Sequence, residues 1–196
     1  MAGSCKRLQL KRKRVDSREM DLSDFIHLGT REPALRFLII GGYAVAAQGH
    51  VRATFDVDLL VRRADHDAWC ERVQCAGLTP FQRGQVFAQF TQPQGGDGLD
   101  LMFADDQTFE PMWRASEERE FGADRARVPC LEHLIALKLH ALKQALEHRT
   151  SKDAEDVEML LRRNSVTLEE PRYRDLFLKY GNRELYETFV RLLRER

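Results

Sequence analysis

Three aspartates carry charge into otherwise apolar runs. Asp56 and Asp58 flank Val57 at the start of the run 56–61, and Asp100 interrupts a second run, 98–103. Side chains on a strand alternate faces, so Asp56 and Asp58 point the same way, roughly 6–7 Å apart along the strand. Val57, Leu59 and Val61 then point the other way, into a core. Carboxylates side by side repel, and burying them is costly unless a cation lies between them. A divalent metal meets that need, and hard oxygen donors favour Mg²⁺ or Mn²⁺ over zinc. If the strand of Asp100 lies beside that of Asp56 and Asp58, all three join one cluster. An Asp-x-Asp pair alone is also what exposed strand ends carry, so the surrounding residues must decide.

Gly41-Gly42 follows the apolar run 36–40 directly and opens the Ala-rich segment 43–48, which closes at Gly49. A strand, a glycine pair and a short helix let backbone N–H groups approach a phosphate; a plain tight turn reads the same way. Arg52 and Thr54, just before the carboxylates, are placed to meet a phosphate or to belong to an ordinary loop.

The elements that position these residues follow from periodicity. A helix is expected over 20–28, ending near Gly29. Strands are expected over 36–40, 56–61, 86–90 and 99–103, a helix from Asp65 to about Cys75, and a hairpin over 118–128 around Gly122. After Pro129 the pattern becomes helical: 131–148, 152–163, and from Pro171 onward. In the first of these, Leu131, Leu134, Ile135, Lys138, Leu142 and Ala145 share one stripe. Lys138 either snorkels out of that stripe or reaches across to an anion. Thr150 to Asp153 has the form of a capping box, so Asp153 is expected to cap. Asp153 and Asp156 share a face with Val157 and Leu160, and acids on a buried stripe require a partner.

The whole chain has 196 residues, with 31 basic and 31 acidic side chains, so no net field selects nucleic acid or membrane. The charge is uneven: Lys6, Arg7, Lys11, Arg12, Lys13, Arg14 and Arg18 face only Asp16 within 6–18. That segment reads as a disordered, dispensable tail or as an RNA-contacting arm. No apolar run is long enough to span a bilayer, and the first residues lack a secretory core. Cys5, Cys70, Cys75 and Cys130 form no paired clusters, and the helical pair Cys70 and Cys75 is expected to be buried and free. The expectation is a cytoplasmic protein.

The segment from Phe37 to Asp58, with Gly41-Gly42 and Asp56-Val57-Asp58, resembles the opening signature of the DNA polymerase β-type nucleotidyltransferases. It is most similar to their minimal branch, which includes the AbiEii-type toxins. Asp100 falls where that family carries its third acid, and Lys152-Asp153-x-x-Asp156 resembles a further element of the AbiEii-type enzymes. The resemblance covers about residues 21–160. It implies an α/β (α+β) fold: a mixed sheet with flanking helices and a helical C-terminal subdomain. The organisation would be a tail over 1–20, a core over 21–128 and helices over 129–196. It implies that Asp56, Asp58 and Asp100 hold two Mg²⁺ ions, with Asp100 helping to activate an attacking hydroxyl. Gly41, Gly42, Arg52, Thr54, Lys138, Lys152 and Asp156 would bind a nucleoside triphosphate in the cleft between core and helices. The acceptor would be transfer RNA, a partner protein such as an antitoxin, or a small hydroxylated molecule. Two positions depart from the pattern: Ala47 replaces a lysine, and Phe55 is bulky. An idle nucleotide- or partner-binding module on the same fold is the alternative.

Overall fold

A computed structural model gives the structure and describes residues 19–144 and 150–195. The basic segment up to Arg18, and with it the expectation of a dispensable tail, lies outside the described residues, as do Ala145 and His148. The chain runs through α1 (Leu22–Thr30), β1 (Phe37–Ile39), α2 (Gly41–Ala47), β2 (Asp56–Arg62) and α3 (His66–Cys75). It continues through β3 (Thr79–Arg83), β4 (Phe87–Thr91), β5 (Gly98–Ala104), α4 (Asp106–Arg114), β6 (Glu117–Phe121) and β7 (Asp124–Val128). The helices α5 (Leu131–Lys143), α6 (Thr150–Arg163), α7 (Pro171–Tyr180) and α8 (Arg183–Arg194) complete it. None of the described helices is long and apolar enough to cross a membrane.

The five-stranded sheet has the order β1-β2-β5-β4-β3, and β6 and β7 form a separate hairpin. Within the larger sheet β2 and β5 are parallel, while β1–β2, β5–β4 and β4–β3 are antiparallel. A parallel pair needs a crossover, supplied here by α3 and the hairpin β3–β4. One face of the sheet, carrying Val57, Leu59, Val61, Leu99, Leu101 and Phe103, joins the main core with Trp69 and with Leu134, Leu139, Val157 and Phe177 of the C-terminal helices. Among the described residues the opposite face is covered at one end, where Phe109 and Met112 of α4 pack on Leu38, Ile40, Leu60 and Ala104. At its other end lie the starts of β2 and β5.

Four local features differ from the sequence expectations. α1 ends at Thr30, one residue past Gly29, which sits inside the last turn where a Cβ would lie 2.3 Å from the Phe37 ring. β3 escapes periodicity because all five of its residues are exposed and a bulge falls between Pro80 and Gln82. α4 is hidden by Pro111 within it, yet Asp105 accepts from the Thr108 N–H as its cap. Cys70 is buried as expected for a free thiol, but Cys75 is exposed.

Gly41 has φ of +62°, and a Cβ there would lie 1.9 Å from Asp58 Oδ2. Gly77 also has positive φ, +100°, but nothing within 4 Å. Gly77→Ala should therefore cost only the left-handed backbone penalty, about 1–2 kcal/mol. Gly41→Ala should cost that plus an overpacking term of about 1–3 kcal/mol against the Asp58 carboxylate. Urea unfolding of both variants measures the difference; equal losses would mean that Asp58 does not rest on Gly41.

Candidate active site

The parallel register of β2 with β5 pairs Asp58 with Asp100 and Asp56 with Gly98. Strand alternation and this register put all three carboxylates on the half-covered face. Asp56 turns Oδ1 onto the Gly98 N–H at 3.2 Å. Asp100 Oδ2 accepts from Gln89 Nε2 at 2.9 Å, Gln89 being its register partner on β4. With these side-chain directions, no group of three or more His, Cys, Asp or Glu is spaced for a metal ion among the described residues. The donor set itself is three hard carboxylates, with Asp56 exposed and Asp58 and Asp100 half-buried, which is the chemistry of Mg²⁺ rather than zinc.

The glycine pair is pinched between this face and the loop ahead of β2. Asp58 closes on Gly41, while a Cβ on Gly42 would lie 2.6 Å from Thr54 Oγ1 and 3.2 Å from Arg52 Nη1. Thr54 Oγ1 reaches the Asp56 carbonyl at 3.4 Å.

Further acids crowd the Asp56 end. The Glu19 carboxylate lies against Gly96, and Gln92 holds this stretch of chain by accepting from the Met20 N–H at 2.6 Å and donating to the Met20 carbonyl at 2.7 Å. Burial raises the Asp97 carboxyl above its ordinary value, and the charges of Asp56, Glu19 and Asp21 push it further. Burial likewise raises the Tyr43 phenol, helped by Asp97 and Asp21.

The C-terminal helices contribute a buried ion network. Arg52 forks onto Asp156, Nε to Oδ1 at 2.6 Å and Nη2 to Oδ2 at 2.8 Å. Lys138 Nζ bridges Asp153 Oδ1 at 2.7 Å and Asp156 Oδ2 at 2.8 Å. The side chain of Asp156 is 0% exposed, that of Lys138 11%. Lys138 thus neither snorkels nor points into an open cleft, because two carboxylates compensate its desolvation where it lies. Asp153 is drawn into the same network, a partner that the capping reading did not foresee. Lys152, on the first turn of α6, is exposed.

The fold is shared with solved structures of the antibiotic-resistance factor ANT(2'')-Ia. In its complex with adenylyl-2''-tobramycin the match covers 86% of this chain and 94% of that one, at 15% identity and a TM-score of 0.56. The lincosamide adenylyltransferase LnuA bound to lincomycin matches over 74% and 96%, at 14% identity and a TM-score of 0.53. A nucleotidyltransferase-like protein from Paracoccidioides brasiliensis matches over 85% and 89%, at 12% identity and a TM-score of 0.51. The chain has the nucleotidyltransferase fold. No family model matches its sequence, and no curated protein does.

Within this nucleotidyltransferase fold, the sequence reading missed Gln89, Glu19 and Asp97 at the site. Glutamine in a strand carries no signal of its own until the register sets it beside Asp100. Glu19 and Asp97 lie outside strands and helices, where acids are unremarked.

Burial works to raise the Asp156 carboxyl, but the Arg52 hydrogen bond and the Lys138 charge overcome it and hold the group below its ordinary value of 3.8. A depressed folded pKa contributes stability that is fully present above the unfolded value and lost as pH falls through the folded one. At neutral pH, Asp156→Asn should be less stable by about 3–5 kcal/mol, the cost of breaking a buried pair. The gap to the wild type should narrow once pH drops below about 4, near the unfolded carboxyl value. Denaturant unfolding across pH 7 to 3 reads the gap, and a constant gap would show that Asp156 is not ionised in the fold.

Proposed function

We propose that the protein is a metal-dependent nucleotidyltransferase that moves a nucleoside monophosphate from a triphosphate to an acceptor hydroxyl. The observation that carries this reading is the parallel register setting Asp58 beside Asp100, two residues from Asp56, with Gly41 closed against Asp58. Asp58 and Asp100 would hold Mg²⁺ or Mn²⁺ together with Asp56, whose bond to the Gly98 N–H is exposed and readily exchanged for a metal. The metal, when bound, supplies neutralisation of the triphosphate and of the entering and leaving oxygens. Gly41, Gly42 and Thr54 would lie along the phosphates, and Lys152 is exposed enough to reach them.

The acceptor oxygen attacks the α-phosphorus, the bond from that phosphorus to the oxygen bridging the β-phosphate breaks, and pyrophosphate leaves. The proton of the acceptor hydroxyl passes to Asp100, whose carboxylate the Gln89 amide holds in place. Catalysis then rests on positioning and charge rather than on covalent chemistry by the protein.

The acids Glu19, Asp21 and Asp97 beside Asp56 favour an amine-bearing, hydroxylated small molecule as acceptor over a polyanion. The solved neighbours in complex with adenylyl-2''-tobramycin and with lincomycin support the same class. A second reading takes the basic residues of 6–18 as an arm for RNA such as transfer RNA. The AbiEii-type role, as a toxin with an antitoxin partner, would fit that second reading. Ala47 stands where the toxins carry lysine, and its packing against the main core is consistent with a different acceptor.

Incubation with each labelled triphosphate, Mg²⁺ and separate pools of aminoglycosides, total RNA and protein should label one pool. Asp58→Asn should lower the rate by at least about a hundredfold, the scale of one electrostatic element of a preorganised site. Triphosphate binding with no transfer to any pool would favour an idle nucleotide-binding module. Labelling that survives Asp58→Asn or chelation would sink the metal-carboxylate mechanism.

A further inference from the structure

A wholly buried carboxylate of the helical part grips a residue of the loop that leads into the metal-binding strand, and the chemistry of nucleotidyl transfer gives that grip no role of its own. We propose that Arg52 is a positioning residue, locked by Asp156, that sets the geometry of the carboxylate face without itself binding the triphosphate. This role rests on the nucleotidyltransferase reading of the same site.

Each nitrogen of the Arg52 guanidinium donates to a protein oxygen. Nε and Nη2 are committed to Asp156 at 2.6 and 2.8 Å, and Nη1 donates to the Ala53 carbonyl at 3.1 Å. That last bond ties the guanidinium to its own loop, and Nη1 also packs against Gly42. The side chain is 15% exposed. Three of its five N–H donors, one from each nitrogen, bond protein oxygens, and two of them form the fork on Asp156, the arrangement of a brace. A planar fork fixes orientation as well as distance, so Asp156 determines where residues 52–54 lie. Those residues in turn press Thr54 onto Gly42 and lead directly to Asp56 and Asp58. The hydrogen bonds that Arg52 donates to Asp156 raise its pKa, and the charge of Asp58 adds to it, so the guanidinium also lies within electrostatic reach of Asp58. Lys138 and Asp153 complete the anchorage, tying Asp156 to α5 as well as to its own helix. The consequence is directional: the C-terminal helices act on the site through Arg52, not by presenting Asp156 or Lys138 to the nucleotide.

The experiment compares wild type, Arg52→Lys, Arg52→Gln, Asp156→Asn and the double variant Arg52→Lys/Asp156→Asn. Affinity for ATP, CTP, GTP and UTP with Mg²⁺ is measured by calorimetry, well below each melting temperature. Lysine keeps the charge but cannot form the fork. A brace predicts that Arg52→Lys weakens the preferred triphosphate as much as Arg52→Gln does, by about tenfold, and that Asp156→Asn matches them although its side chain cannot touch ligand. The double variant should then be no worse than about twofold below either single one. Direct phosphate contact predicts the opposite: Arg52→Lys largely rescues affinity, and Asp156→Asn leaves it intact or tightens it by freeing the guanidinium. A purely structural salt bridge predicts lower melting temperatures with affinity unchanged in every variant. Either of these results overturns the proposal, and Arg52→Lys against Arg52→Gln decides it even if Asp156→Asn does not fold. A wild type that binds none of the triphosphates would instead overturn the nucleotidyltransferase reading, and this one with it.

Discussion

The parallel pairing of β2 with β5 is the constraint from which the site follows. Parallel neighbours cannot be joined by a tight turn, so the chain must leave the sheet after β2, cross, and return in register. Here it returns with Gly98 opposite Asp56 and Asp100 opposite Asp58. A slip of one residue would turn Asp100 into the main core and bring Leu99 or Leu101 to the outer face. The apolar residues that alternate with the acids therefore do more than fill space: Val57, Leu59, Leu99 and Leu101, all essentially inaccessible, penalise any other register. Packing energy on one face of the sheet fixes the electrostatics of the other.

That second face is divided by α4. Phe109 and Met112 close it over Leu38, Leu60 and Ala104, and among the described residues the starts of β2 and β5 lie beyond that cover. Gly41 then brings backbone against Asp58 where any side chain would collide. On the far side of the glycine pair lies the buried network of Arg52, Lys138, Asp153 and Asp156. Two cations and two anions taken out of water are costly, and such a group is weak evidence of stability gained over an apolar core. Its value is geometric, since Asp156 makes hydrogen bonds with both a loop and a neighbouring helix at separations below 3 Å. Losing any one member leaves an unmatched buried charge, which ties the helical part to the sheet more strictly than apolar contact would.

Much of this was legible in the chain because its signals are local. The alternation around Asp56 and Asp58 fixes their common face, and the glycine pair after an apolar run marks a strand-to-helix turn. Strands β1, β2, β4 and β5, the hairpin at 117–128 and the C-terminal helices were readable to within a few residues for the same reason. What could not be read depended on partners distant in sequence. Lys138 in an apolar stripe is ambiguous until Asp153 and Asp156 arrive beside it, and Arg52 gives no hint that its fork is taken by a residue 104 positions away. Gly29 looked like a helix stop, yet its role is to admit the Phe37 ring. β3 and α4 were invisible because full exposure erases one pattern and an internal proline contradicts the other.

The fold alone leaves the acceptor open, since one scaffold hosts many substrates. Charge narrows the choice. In the proposed reaction a triphosphate would bring several negative charges to a face already carrying Asp56, Asp58 and Asp100, so cations would have to enter with it. At this end of the face the charges of Asp56, Glu19 and Asp21 all act on Asp97. A polyanionic acceptor approaching there would meet like charge at short range, and would need a compensating surface from elsewhere in the chain. An acceptor carrying amines would bring its own compensation and would be oriented by it. The residues from Lys6 to Arg18 are strongly basic in sequence and, in the second reading, would work against that balance. If the proposed transfer holds, the choice of acceptor would turn on the acidic residues at this end of the fold against the basic residues of the N-terminal sequence.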